Sequence, residues 1–109
     1  MKDHRLIDER SRAFGEAIAA RLKEDPRRIE RARANIARWL ESADPGVRAV
    51  LLEWRELLNG PMDDLLNVLT RMDDRCIRLR QSNPFAGELP PHERNSILRR
   101  FARHESTTA

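Results

Sequence analysis

Apolar residues recur along this chain at three- and four-residue steps, the spacing that lays one stripe along an α-helix. Ile7, Phe14, Ile18 and Leu22 form the first stripe, with Ala17 beside them. It predicts a helix from about Leu6 to Glu24, with Asp3 as a candidate N-cap. Asp25-Pro26 ends it, because a residue before proline resists helical geometry while proline suits the first turn of the next helix. Gly15 weakens the middle of this helix and leaves room for a close neighbour. A second helix follows to about Glu41, burying Ile29, Ala32, Ile36, Trp39 and Leu40 and turning Arg27, Arg28, Arg31 and Arg38 mostly away. After a loop with a second proline start, Val47, Val50, Leu51, Trp54, Leu57 and Leu58 predict a third helix over Pro45 to Asn59.

Asn59-Gly60-Pro61 reads as a stop and a restart, with glycine in a left-handed closing position. The fourth helix runs from Pro61 to about Met72 on Met62, Leu65, Leu66, Leu69 and Met72. Asp63 and Asp64 fall in its first turn, where the helix dipole favours acids. Cys76, Ile77 and Leu79 support a short fifth helix from Asp73 or Asp74 to Gln81, or a continuation of the fourth, since no Gly or Pro separates them. Residues 82–90 read as irregular. A last helix from about Pro91 to His104 buries Ile97, Leu98 and Phe101, and residues 105–109 read as a frayed tail. No apolar–polar alternation persists long enough for a strand. The expected fold is all-α, a compact array of five or six short amphipathic helices over residues 1–104.

Composition narrows the class of molecule. The 109 residues suit one domain, and no apolar run approaches the roughly 20 residues that span a bilayer. The charged opening MKDHRLIDER lacks the apolar stretch of a secretory signal, so a cytoplasmic location is expected. The lone cysteine, Cys76, excludes an internal disulfide. Twenty-one basic residues face 18 acidic ones, and only Lys2 and Lys23 of the bases are lysine. Two basic segments, residues 1–40 and 71–104, flank an acidic middle. Arginine makes forked contacts with carboxylates and phosphates, so the imbalance suits either a solvated face or a surface for an anionic partner.

Catalytic and metal chemistry find little support. His4, His92 and His104 offer no pair four residues apart, as a helical metal face requires. The acidic pairs Asp8-Glu9, Asp63-Asp64 and Asp73-Asp74 are adjacent, so about 100° of helix separates their side chains. Cys76 lies on an apolar side and reads as a buried, inert thiol. No glycine-rich phosphate loop is present, and neither a metal nor a cofactor is expected.

Binding residues stand out more. Arg75, Arg78 and Arg80 would face outward from the second helix of a helix–turn–helix, although Asp73-Asp74 at its start would repel phosphate. Arg94, Arg99, Arg100 and Arg103 make the last helix basic enough to grip backbone phosphates or an acidic protein. Phe85 sits in a Pro- and Gly-flanked loop, as an anchor for another chain or as a plug on the helical core.

Two resemblances follow from these strings. Arg99 and His104, in the run Arg-Arg-Phe-Ala-Arg-His, resemble the Arg/His signature of helical HEPN ribonucleases. That resemblance implies a phosphate-holding arginine and an RNA-cleaving histidine. The run from Arg78 to Gly87, then Glu93-Arg94 and Ile97 to Phe101, resembles small proteins of bacterial toxin–antitoxin operons. It covers about the last third of the chain and implies a short cytoplasmic helical protein that binds a cognate toxin. The leading expectation is therefore a non-enzymatic antitoxin-like module. Its partner would be a toxin or a second copy of the chain. Its contact residues would be Arg75, Arg78, Phe85, Arg94, Arg99, Arg100 and Arg103. A small DNA- or RNA-binding regulator is the alternative, and the ribonuclease the third.

Overall fold

A computed structural model of the chain describes residues 4–85 and 87–107; the side chains of His4 and of residues 103–107 lie outside that description. Among the described residues it is all-α, with six helices and no strand. They are α1 (His4–Glu24), α2 (Ile29–Leu40), α3 (Pro45–Asn59), α4 (Met62–Thr70), α5 (Asp74–Arg80) and α6 (Pro91–Thr107). A 3₁₀ turn, Pro26–Arg28, leads from α1 into α2. Helix α1 is the spine, packing against α4, α5 and α6, while α2 and α3 pair as a hairpin and α3 continues onto α4. None of the helices is long and apolar enough to cross a membrane.

The stripes meet as a single core. Ile18 and Leu22 of α1, Ile36 of α2, Leu51, Trp54 and Leu58 of α3, Leu65 and Leu69 of α4 and Leu79 of α5 are all buried. Full burial of each such side chain stabilises by roughly 1.5–3 kcal/mol. The stripes overreach at their margins. Ile7 and Val47, in the opening turns of α1 and α3, and Leu98 on the flank of α6 are the large apolar residues left exposed. Trp39 is half-buried at the edge of the core that encloses Trp54.

Three boundaries differ from the sequence expectation. Gly60 closes α3 with extended backbone (φ −97°, ψ −164°), not in the left-handed region, because Pro61 demands an extended approach. Helix α6 continues to Thr107, past the expected end at His104 and into the residues expected to fray. Helix α4 stops at Thr70, short of Met72, so α4 and α5 are two helices. Arg71 turns extended (φ −80°, ψ 155°), and Asp73 caps α5 by accepting from the Cys76 backbone N–H at 2.9 Å.

The reason for that break lies nine residues downstream. Arg80 was expected on an outer basic face, yet it is 5% exposed. Its Nη1 donates to the carbonyls of Val68 at 2.8 Å and Arg71 at 2.6 Å, and its Nε donates to Ser11 Oγ at 3.0 Å. Burial pulls this guanidinium below its ordinary value, but an arginine still keeps its proton. The buried charge is tolerated because it meets the negative end of α4 and carbonyls that the ended helix leaves without partners. A recognition helix presenting Arg80 to DNA is thereby excluded.

Gly15 sits at the same junction. A Cβ there would lie 1.7 Å from the Leu69 carbonyl oxygen, so α1 rests directly on the last turn of α4. The loop after α5 is pinned as firmly. Phe85 fills the core edge-on to Trp54, with ring centroids 6.4 Å apart. Asn83 Oδ1 accepts from the Phe85 backbone N–H, and Asn35 of α2 donates to the Pro84 carbonyl, each at 2.9 Å. Glu88 is buried and held by Arg28 at 3.1 Å and Arg31 at 3.5 Å.

The close approach at Gly15 makes a sharp prediction. Gly15→Ala should destabilise by about 3 kcal/mol in chemical denaturation, the upper range of overpacking. Gly46→Ala, in open space within the first turn of α3, should instead stabilise by about 0.5 kcal/mol. Similar effects of the two would show that α1 does not seat on α4 in this way.

Candidate binding surface

The arginines divide by what holds them. On α5, Arg75 and Arg78 both reach Glu53 of α3, at 3.7 and 3.3 Å. These pairs are exposed and so contribute only about 0–1 kcal/mol each, but they orient both guanidinium groups along the protein surface. Arg21 of α1 meets Glu93 of α6 at 2.6 Å in a partly buried pair that ties the two helices together. Arg12 pairs with Glu16, Arg27 with Asp25 and Arg33 with Glu30.

Arg38, Arg48 and Arg55 are exposed on α2 and α3 without a carboxylate within 4 Å among the described residues, and helix α6 gathers three more such arginines. Arg94, Arg99 and Arg100 are exposed, and among the described residues none has a carboxylate within 4 Å. Glu93, the acid in the first turn of α6, is taken up by Arg21. Arg100 lies over the Phe101 ring, 5.2 Å from its centroid, a contact that leaves the charged group open to a partner. With Ile97 and Phe101 turned to the core, helical geometry sets Arg94 on one flank, Arg100 on the other and Arg99 on the outer face. The three form a fan around the helix. The side chains of Arg103 and His104 lie outside the described residues.

The sequence candidates thus separate into four situations. Arg94, Arg99 and Arg100 share a cationic helix. Arg75 and Arg78 share a different site, beside Glu53. Phe85 is wholly buried, so its ring plugs the core and is not displayed as an anchor. The side chain of Arg103 lies outside the described residues.

Sequence reasoning missed a groove between α1, the loop after α5 and the start of α6. It encloses about 330 Å³. Ile7, Phe14, Ile18 and Leu89 line its apolar part, and Arg10 and Arg94 line it from α1 and α6. Arg10 had a legible signal: it falls three residues after Ile7 and four before Phe14, inside the apolar stripe of α1. Leu89 had none, since it reaches the groove from an irregular segment.

Other chemistry is sparse. No group of three or more His, Cys, Asp or Glu among the described residues is placed to hold a metal ion. Cys76 is buried, and burial pushes its thiol above the ordinary value, helped by the Asp73 carboxylate nearby. Comparison of the chain with models of known protein families, with curated proteins and with solved structures found no match in any of the three.

The raised thiol gives a direct test. In the folded protein at neutral pH, Cys76 should react with a thiol-specific disulfide reagent far more slowly than in denaturant, where the thiolate fraction and access both recover. Equal rates in the two conditions would contradict a buried, protonated thiol.

Proposed function

We propose that this chain is a non-enzymatic binding protein that docks on an acidic surface of a protein partner through α6, as an antitoxin-like module would dock on its toxin. One observation carries the reading. Arg94, Arg99 and Arg100 stand exposed on a single helix with no carboxylate within 4 Å among the described residues, while Arg21, Arg28, Arg75 and Arg78 are engaged by acids of the same chain. Exposed guanidinium groups left without acids are available for forked contacts across an interface. The resemblance of the last third to toxin–antitoxin operon proteins supports the same direction.

A second reading, a DNA- or RNA-binding regulator, draws on the fan of arginines around α6. Guanidinium groups on several faces of a helix suit phosphate contacts that position a protein without reading bases. The ribonuclease alternative depends on His104, whose side chain lies outside the described residues.

Purification of the protein from its native cells tests the reading. A stoichiometric protein partner should co-purify at low salt and dissociate as salt rises. It should be lost from the Arg94→Glu/Arg99→Glu/Arg100→Glu variant, with the helical circular dichroism unchanged. A complex indifferent to charge reversal, or the wild-type chain recovered alone, would overturn the reading. Binding to DNA or RNA that weakens steeply with salt, without a protein partner, would establish the regulator instead.

A further inference from the structure

Several hollows mark the described surface, and charge and size together distinguish them. Beside the 3₁₀ turn, Arg27, Arg28 and Arg31 are matched by Asp25, Glu30 and Glu88 in one of about 500 Å³. Between α4 and α5, Arg71 and Arg75 are matched by Asp64 and Asp73. A smaller hollow of about 190 Å³ between α2 and α3 holds Arg33, which already binds Glu30 and the Leu58 carbonyl. In the first two, acids of the same chain match the basic side chains; in the third, Glu30 and the Leu58 carbonyl engage Arg33, while Arg55 lines it without a carboxylate within 4 Å among the described residues, in a hollow little more than half the volume of the remaining one.

The groove between α1 and α6 is not balanced in this way. Arg10, Arg80 and Arg94 line it and no carboxylate does, in a chain with 18 acidic residues. Arg80 is engaged by carbonyls of the fold. Arg10 and Arg94 have no carboxylate within 4 Å among the described residues. Ser11, Gln81 and Asn83 are the remaining polar lining, and all three are neutral groups able to donate. The apolar part is substantial, with Ile18 and Leu89 buried beneath a half-buried Phe14 and an exposed Ile7. Apolar walls joined to unmatched positive charge are complementary to a ligand that is itself part apolar and part anionic.

We propose that this groove binds a small amphiphilic carboxylate, an acid group on an alkyl chain of medium length. The alkyl chain lies along Phe14, Ile18 and Leu89, where each methylene transferred from water adds to the affinity. The carboxylate lies at Arg10 and Arg94, whose forked N–H groups match its two oxygens. The volume of about 330 Å³ is near the lower end for small-molecule sites, roughly 300–1,000 Å³, which suits a single unbranched chain. The inference goes beyond the partner-docking reading and stands without it, because Arg10 is on α1 and the apolar walls take no part in docking through α6.

Titration of the purified protein with decanoate below its micelle concentration tests the proposal, followed by calorimetry and by backbone and methyl NMR. One saturable site is expected, with the largest shifts at Ile7, Ile18 and Leu89. Arg10→Gln and Arg94→Gln should each weaken binding about tenfold, the usual scale for a hydrogen bond to a charged group. Arg55→Gln, on α3, should leave it unchanged. Acetate, which lacks the tail, and decyltrimethylammonium, which carries the opposite charge, should bind at least tenfold more weakly. Non-saturable binding, equal binding of decyltrimethylammonium, or parent affinity in both groove variants would overturn the proposal. Neither outcome depends on whether a protein partner is found for α6.

Discussion

The last turn of α4 is the joint on which the rest of the structure depends. A helix ending inside a protein leaves carbonyls that must find donors. Here a single guanidinium, Arg80, supplies donors to Val68 and Arg71 and reaches Ser11 on α1 with a third N–H. Gly15 lets α1 come close enough for this, since a side chain there would collide with the Leu69 carbonyl. One residue from each of two helices thus fixes how α1, α4 and α5 meet. The indole N–H of Trp54 donates to the Leu79 carbonyl at 2.8 Å, which ties α3 to the same short helix.

Most helices were legible because their stripes are strong and their ends are marked by proline or by capping acids. Pro26, Pro45, Pro61 and Pro91 each stand where a helix or turn begins. No Gly or Pro marks the break between α4 and α5 in the sequence, and its cause is a contact between residues 68 and 80. The binding residues were harder to read for a related reason. Periodicity tells which arginines face away from an apolar stripe, but not which of them meet an acid from another helix. Arg78 and Glu53 are 25 residues apart, and Arg21 and Glu93 are 72 apart. Burial of Arg80 is not legible in the sequence, because arginine is ordinarily solvated and the carbonyls that receive it lie in and just after a different helix.

Separating structural from free arginines gives the molecule a definite polarity of use. The arginines of α2 and α5 largely serve the chain's own acids, and the loop carrying Phe85 and Glu88 is fastened to the core. Among the described residues Arg38, Arg48 and Arg55 also lack acids, but they are scattered over α2 and α3, whereas α6 and the groove beside it gather such arginines in one place. Arg94 belongs to both, so the cationic helix and the apolar groove form one continuous face at the start of α6. A ligand in the groove would therefore bear on docking through α6 by competing for that one guanidinium.

Arg80 is the buried case in the division between structural and free arginines. The most direct measurement is NMR of the arginine side-chain Nε–H groups in the folded protein at neutral pH. Arg80 should give a slowly exchanging, protected signal, while Arg10, Arg94, Arg99 and Arg100 exchange at the rate of solvated guanidinium groups. An Arg80 signal exchanging as fast as the others would contradict the account at its centre.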